Sequence, residues 1–579
     1  MKLDLLLQNA DIITMDPERP AARSMGIWQG RIVGLDEDLS GVDAAKVLDL
    51  GGATVTPGFN DAHCHTTWFG LGLAELDVSG ARGLGELYDL LRAAVSEAAE
   101  PEGDGWLFAT GFSQTRHGGL FPDIAVLDHI TGDRPLFMRH NSGHMAVVNT
   151  AALRLAGADS PSFPDPDGGA IVRDAAGQPT GLVQETAQEL IQQLILPYSL
   201  EDIEGALERA TLHYASEGIT SFTEAGVGGG WIGHSPAELA AYQRAASNGR
   251  LHARAQVMPV LDVLHSLHGH AADSPGAAPA GLDLGISSGF GSEYLSLGPA
   301  KVFLDGSLLG ETAAVSHEFC SHGHKDNRGN VGYFQADPAH MRERMEAAYA
   351  AGWSIAAHAI GDRAIDLALD IITDCQAAYG PRRVPNRIEH ASMTRPEQLS
   401  RLAKAGIAVT PQASFFRDGG DGMTASLGQD RLPWAYRAAS FLDAGVTLAG
   451  SSDRPVADGN VLRGMQAFVD RRTASGAVFG NPAERLTPFQ ALAAYTSGAA
   501  LATGMLGEKG TLTPGKLADF TVLSASPLEA PDISELRVLA TAVGGRFTYQ
   551  STDFHMALSP ESPFAAHLSA APVSATHSS

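Results

Sequence analysis

The chain is short of cysteine, of long apolar runs and of positive charge, and each shortage narrows its reading. Only three cysteines, Cys64, Cys320 and Cys375, occur in 579 residues. Three cannot encode a disulfide framework and no zinc-ribbon spacing is present, so a reducing, cytoplasmic setting is expected. No segment is apolar for long enough to span a bilayer, and the opening "MKLDLLLQNADIITMDPERP" has neither a long apolar core nor a small-residue cleavage site, so a soluble protein is expected. Basic residues number 40 against 66 acidic ones, a formal net charge of −26. That balance disfavours nucleic acid and anionic membranes as partners and suits a small neutral or cationic substrate, although most of the acidic excess solvates the surface. Lysine is the scarcest cation: seven in all, with none between Lys46 and Lys301.

The length exceeds one small core and suffices for a large barrel with a companion domain. Short alternating segments broken at Gly, Asn and Asp fill the first 57 residues, as in "SMGIWQGRIVGLD" and "KVLDLGGATVTPGF". Similar ones, "GKLADFTVLSASPL" and "LRVLATAVGGRFTYQ", return near the other end, and the two sets can complete one sheet. Between them apolar strand-like runs alternate with amphipathic helical ones, "WSIAAHAIGD" followed by "RAIDLALDIITDCQAAYG" being one instance. That alternation predicts an α/β fold of βα units around a parallel sheet, with the length of a (β/α)8 TIM barrel carrying inserted loops. The stretch from His270 to Ser292, rich in Gly, Ala, Pro and Ser, reads as one such loop, and residues 553–579 have the composition of a disordered tail.

In such a barrel the chemistry sits where the strands end. "PGFNDAHCH" places His63 and His65 two apart, so on a strand they share a face and form a pincer for a divalent metal. "KVFLDGS" sets Lys301 among apolar residues, where burial lowers an ammonium pKa; the free amine is a nucleophile or takes up carbon dioxide as a carbamate. "WSIAAHAIGD" and "NRIEHAS" close on His358 and His390, and "VTLAGSSDRPV" offers Asp453. Each has a plain alternative: a hydrogen-bonded structural histidine, a snorkelling lysine, a helix-capping aspartate. Together, at five strand ends, one shared site is the simpler account.

The order HxH, Lys, His, His, Asp resembles the metal-dependent amidohydrolase superfamily, in the amidohydrolase-3 branch that includes the N-substituted formamide deformylases. "KVFLDGSLLGETAA", "AAHAIGDRAIDLALD", "RIEHAS", "GSSDRPV" and "GTLTPGKLADFTVL" carry that resemblance over nearly the whole chain. It implies a barrel (58–507) flanked by a small β-sandwich built from both ends (1–57 and 508–552). It also implies one metal on His63 and His65, a second on His358 and His390, and Lys301 as an N-carboxylated bridge. Asp453 is then a weak ligand that handles the proton. Zinc is the favoured ion, one or two per chain, since mixed imidazole and carboxylate sites also accept manganese, nickel, cobalt or iron.

The expected activity is metal-assisted hydrolysis of a C–N bond, amide or formamide, in a small molecule with a hydrophobic N-substituent. "RHNSGHMAVVNTAAL" also resembles the branch and puts His144 and Asn149 within reach of substrate. His144 is either a carbonyl contact or a histidine fixing a loop. Asp362 is expected to orient His358 or the helix that follows it. Trp68, Phe69, Phe112, Phe415, Phe416 and Trp434 fall in predicted loops after strands and are expected to line a largely apolar pocket. A deaminase on this barrel carries glutamate three residues after its strand-five histidine, where this chain has Gly361. Carbamate, ester, lactone or dipeptide hydrolysis shares the same metal centre, and a metal-free binding protein would lack part of the ligand set. A homodimer is the expected assembly, the commonest closed one.

Overall fold

The structure, a computed structural model, describes residues 2–97, 105–141, 143, 145–166, 169–230, 232–268, 270, 280–322 and 326–554. His144 and nearly all of the expected tail lie outside the described residues. No helix among the described residues is long and apolar enough to cross a membrane.

Parallel strands form two four-stranded runs. In the first, β1 (Phe59–Cys64) pairs with β2 (Ile219–Val227), β2 with β3 (Arg254–Pro259), and β3 with Leu295–Leu297. In the second, β4 (Ala300–Phe303), β5 (Ile355–Ala359), β6 (Arg387–His390) and β7 (Ala408–Thr410) pair in sequence order. A parallel bridge between Val260 and Lys301 joins the runs, and another ties Val409 to Leu448. The segment after Leu448 returns to the start, where Ala62 N–H donates to Gly450 O (3.1 Å) and Asp453 N–H to His63 O (2.7 Å). Helices lie between β2 and β3 and between each successive pair from β4 to β7, whereas two residues alone separate Leu295–Leu297 from β4. Along β5 to β7 the outward-facing aliphatics, such as Ile388 and Val409, belong to one large apolar core with the helices.

Both ends of the chain share a sheet. Thr54–Pro57 pairs antiparallel with Phe520–Leu523, in register Pro57 to Phe520 and Thr54 to Leu523. That six-stranded sheet and a four-stranded one holding Leu5–Gln8 and Met25–Trp28 bury a common core that includes Leu7, Ile12, Ile27, Val55, Phe520 and Val522.

The largest insertion is not the stretch near His270. It is a mixed six-stranded sheet running from Leu76–Asp77 to Pro179–Glu185, between β1 and β2. Its side chains alternate in two-residue steps: Leu136 and Met138 join one apolar cluster and Phe137 the other, so both faces are covered. Helices Thr66–Gly72 and Leu200–Ser216 flank the insertion and pack on each other. Gly70 permits this approach, since a Cβ there would lie 1.9 Å from Ala206 O.

Candidate metal centre

The six residues singled out at the strand ends come together. Asp453 Oδ1 lies 3.2 Å from His63 Nε2 and 3.0 Å from His65 Nε2. Lys301 Nζ is 3.5 Å from His63 Nε2. The His390 ring is 4.9 Å from that of His63 and 4.4 Å from that of His358. Among the described residues His63, His390 and Asp453 place one donor atom each within 4.8 Å of one another. All six residues are buried or nearly so.

The backbone is bent to achieve this. His390, Ala391 and Asp453 have φ values of 70°, 44° and 58°. That left-handed region costs a non-glycine residue free energy, and the surrounding packing holds it.

Three of the four imidazoles are held by an acceptor on the outer edge. Glu389 accepts from His63 Nδ1, and Gln412 Oε1 sits 2.8 Å from His390 Nδ1. Gly306 O is 3.1 Å from His358 Nε2, with Asp305 Oδ1 at 3.7 Å. Glu224 Oε1 stands 3.7 Å from His65 Nδ1, and its other oxygen accepts from Thr66 N, Thr67 N and Tyr242 Oη. Acceptors at one ring nitrogen place the proton there and leave the other nitrogen as a ligand. His63 and His390 therefore offer Nε2, and His358 offers Nδ1, while His65 Nδ1 is buried without a hydrogen-bond partner. Glu389 is itself forked by Arg387, fully buried beneath the cluster, and accepts from Thr410 Oγ1.

The electrostatics follow from burial and from these contacts. Burial pushes the Lys301 ammonium down to about 8, although Glu389 and Asp453 oppose the shift. Burial likewise lowers His390 to about 3 and takes His358 well below the usual imidazole range. At His65 burial works the same way, but Asp453 and Glu224 outweigh it and raise the ring to about 9. Asp453 stays well below the usual carboxylate range despite its burial, because His63 and His65 face it.

These donors fit a divalent metal. Asp453 Oδ1 is buried without a hydrogen-bond partner, facing the same point as the inward nitrogens, and imidazoles with a carboxylate suit first-row cations.

Beside the centre an open cleft lies between the loop after β2 and the inserted sheet. Trp68, 6.1 Å from the His65 ring, forms one wall. Of the six aromatics expected to line a pocket, it is the one that lines this cleft. Phe69 stacks on Tyr214, Phe112 on His117 and Phe416 on Phe479, while Trp434 packs on His317. Phe415 stacks near His390, at 6.0 Å. Aromatics after strands proved as useful for packing as for binding. Polar groups line the cleft too, among them His140, Gln188, Tyr198 and His234.

Asn149 does not reach substrate. Its Oδ1 caps the helix Thr150–Leu155 and accepts from Leu136 N, and its Nδ2 donates to Thr131 and Arg134 O. Asp362 does not touch His358. It accepts from Ser316 N and pairs with Arg395, and Gly306 and Asp305 take the expected role beside the ring. Sequence reasoning missed Glu389, Arg387, Glu224 and Gln412. Glu389 and Arg387 stand in the quoted "NRIEHAS", where two charges inside a strand of an otherwise apolar sheet were the available signal.

The family model described as "Amidohydrolase family" matches residues 46–549. The chain is 33% identical over 560 residues to "Protein LONG AFTER FAR-RED 3" of Arabidopsis thaliana, covering 94% of this chain and 91% of that one. It is 29% identical over 570 residues to an "N-substituted formamide deformylase" of Arthrobacter pascens, covering 95% and 99%. Among solved structures it resembles an uncharacterized metal-dependent hydrolase from Pyrococcus furiosus, with a TM-score of 0.70, 26% identity and coverage of 91% and 100%. A second, from Pyrococcus horikoshii, gives a TM-score of 0.72 at 24% identity over 92% and 99%. The chain belongs to the amidohydrolase family, in the amidohydrolase-3 branch, with an α/β fold of the TIM-barrel type. Membership makes it a hydrolase and implies a divalent metal.

Proposed function

We propose that the protein hydrolyses a C–N bond, amide or formamide, of a small molecule. The circuit of parallel strands serves as a (β/α)8 barrel (58–507), and the sheets from the two ends as a β-sandwich (1–57 and 508–552). The observation that carries the reading is Asp453 Oδ1, 3.0 and 3.2 Å from the inward nitrogens of His65 and His63, with Lys301 and His390 closing the same point.

His63 and His65 would hold one cation and His358 and His390 a second, with Lys301 between them as a carbamate; zinc is the favoured ion. When bound, the metal supplies Lewis acidity and lowers the pKa of water. Asp453, ionised and fixed between two imidazoles, takes the proton of the attacking water and returns it to the departing nitrogen, because an amine anion is a poor leaving group. Glu389, Gln412 and Gly306 hold the rings of His63, His390 and His358 in their tautomers. Arg387 keeps Glu389 charged from below, and Trp68 guards one side of the entrance.

The similarity to a formamide deformylase supports formamides as the first substrates to try. Protein loaded with zinc or manganese is to be assayed on N-formyl amines, N-acyl amino acids, lactones and aryl carbamates. Metal-dependent release of amine is the expected result. Turnover of lactones or phosphoesters alone would overturn the assignment.

A further inference from the structure

Asp453 stands in a left-handed turn, and a carboxylate that the proposed chemistry does not use holds that turn. Asp61 lies on β1 ahead of His63, and both it and Ser452 are buried. Its Oδ1 accepts from the backbone N–H groups of His63 (3.2 Å) and Ser452 (3.1 Å), and its Oδ2 accepts from the Ser452 hydroxyl. The same hydroxyl oxygen accepts from Arg454 N–H (3.1 Å). Asp61 thus grips the chain on both sides of Asp453, directly at Ser452 and through Oγ at Arg454.

The turn needs this hold. At a φ of 58° Asp453 keeps a conformation that costs a non-glycine residue free energy, so the contacts around it must outweigh that cost. Backbone bonds supply part: Asp453 N–H donates to His63 O and His65 N–H to Arg454 O, both at 2.7 Å. The rest converges on Asp61. Without its carboxylate the buried Ser452 hydroxyl loses its acceptor, and the oxygen that receives Arg454 N–H is no longer anchored.

We infer that Asp61, acting through Ser452, is a positioning residue that fixes the Asp453 carboxylate against His63 and His65. Asp453 Oδ1 keeps its 3.2 and 3.0 Å separations from the two Nε2 atoms because the turn beneath it cannot rotate. This role rests on the proton transfer proposed for Asp453 and is indifferent to the bond that is cleaved. Any substrate the wild type turns over therefore serves as the probe, and turnover of lactones alone would sink the amide reading while leaving Asp61 in place.

Asp61→Ala at unchanged metal content should lower kcat by about 10- to 100-fold and leave KM within about threefold, the signature of a displaced proton acceptor. Asp61→Asn keeps an acceptor for both N–H groups and should recover most of that loss, and Ser452→Ala, which removes only the hydroxyl, should cost about three- to tenfold. The double variant decides. With Asp453→Ala already present, Asp61→Ala should change kcat by less than about twofold, because a residue acting through another adds nothing once that other is gone. Crystal structures of the zinc-loaded wild type and Asp61→Ala read the same point without turnover: the Asp453 carboxylate should turn away from His63 and His65 in the variant. Should Asp61→Ala not fold, Ser452→Ala carries the same cycle and the same crystal comparison. Additive losses in the double variant, an Asp61→Asn as impaired as Asp61→Ala, a loss of metal that tracks the loss of kcat, or an Asp453 unmoved in the variant crystal would overturn the assignment.

Discussion

Two lysines are buried near opposite ends of the same strands, and they differ in every respect except burial. Lys301, on β4, faces His63, Glu389 and Asp453 at the strand ends that carry the histidines. Lys509 lines a small pocket with Asn60, Thr223 and Gln256, toward the strand starts. Burial lowers both, to about 8 and about 7, and at Lys509 Asp519 opposes the shift. Desolvation alone therefore weakens the hold of the amine on its proton in either place. A metal site needs imidazoles and carboxylates converging on one point as well, and only Lys301 has them.

Exchanging the lysines one at a time breaks the comparison most sharply. Lys301→Ala is expected to lower kcat/KM by about a thousandfold or more and to reduce bound metal, read by elemental analysis, because the ligand proposed to bridge the cations would go. Lys509→Met should leave both within about twofold. Equal losses in the two variants would show that burial, and not company, matters.

Asp453→Ala comes next. The imidazoles remain, so most of the metal should stay while turnover falls by about 10²- to 10⁴-fold. A variant that keeps its metal and near-normal turnover removes the aspartate from its role.

Glu389→Gln tests the outer layer of the Lys301 end. The neutral amide can still accept the His63 proton but no longer supplies the negative charge that makes the ring a stronger ligand, and metal affinity should drop by about 10- to 100-fold in a competitive chelator titration. Unchanged affinity would make the Arg387–Glu389 pair purely structural.

The smallest effect belongs to Lys509 and to stability. Its folded pKa lies below the unfolded value, so the unfolded chain binds more protons between about pH 7 and the usual lysine range near 10.5. The cost of burying the charge is fully present below pH 7 and is relieved as pH rises through that window. Lys509→Met should stabilise the protein by on the order of 2 kcal/mol at pH 7 and flatten the rise toward pH 10 in denaturant titrations. A slope unchanged by the substitution would show that this amine does not titrate abnormally.

What could be read from the chain alone divides along similar lines. The histidines, Lys301 and Asp453 were legible because each is a polar residue within or just after an apolar stretch, a placement that burial penalises unless a ligand or partner compensates. The pairing of Thr54–Pro57 with Phe520–Leu523 was legible as two matched sets of short alternating strands. The inserted sheet was not. With apolar clusters on both faces, strands such as Leu136–His140 and Met145–Val148 carry the same continuous apolar text as barrel strands, and nothing local tells them apart. Lys509 was hidden by its setting: in "GEKGTLTPGK" it stands among glycines and threonines, and folding, not its neighbours, buries it.

The sheet that unites the two ends has a bearing on synthesis. Thr54–Pro57 leads directly into β1, the strand of His63 and His65, yet its partner Phe520–Leu523 leaves the ribosome more than 460 residues later. At the usual pace of translation that interval is roughly half a minute to a minute and a half. Throughout it, Thr54–Pro57 must wait with one edge bare, and chains stalled short of Phe520 should recruit chaperones and resist protease poorly around Pro57.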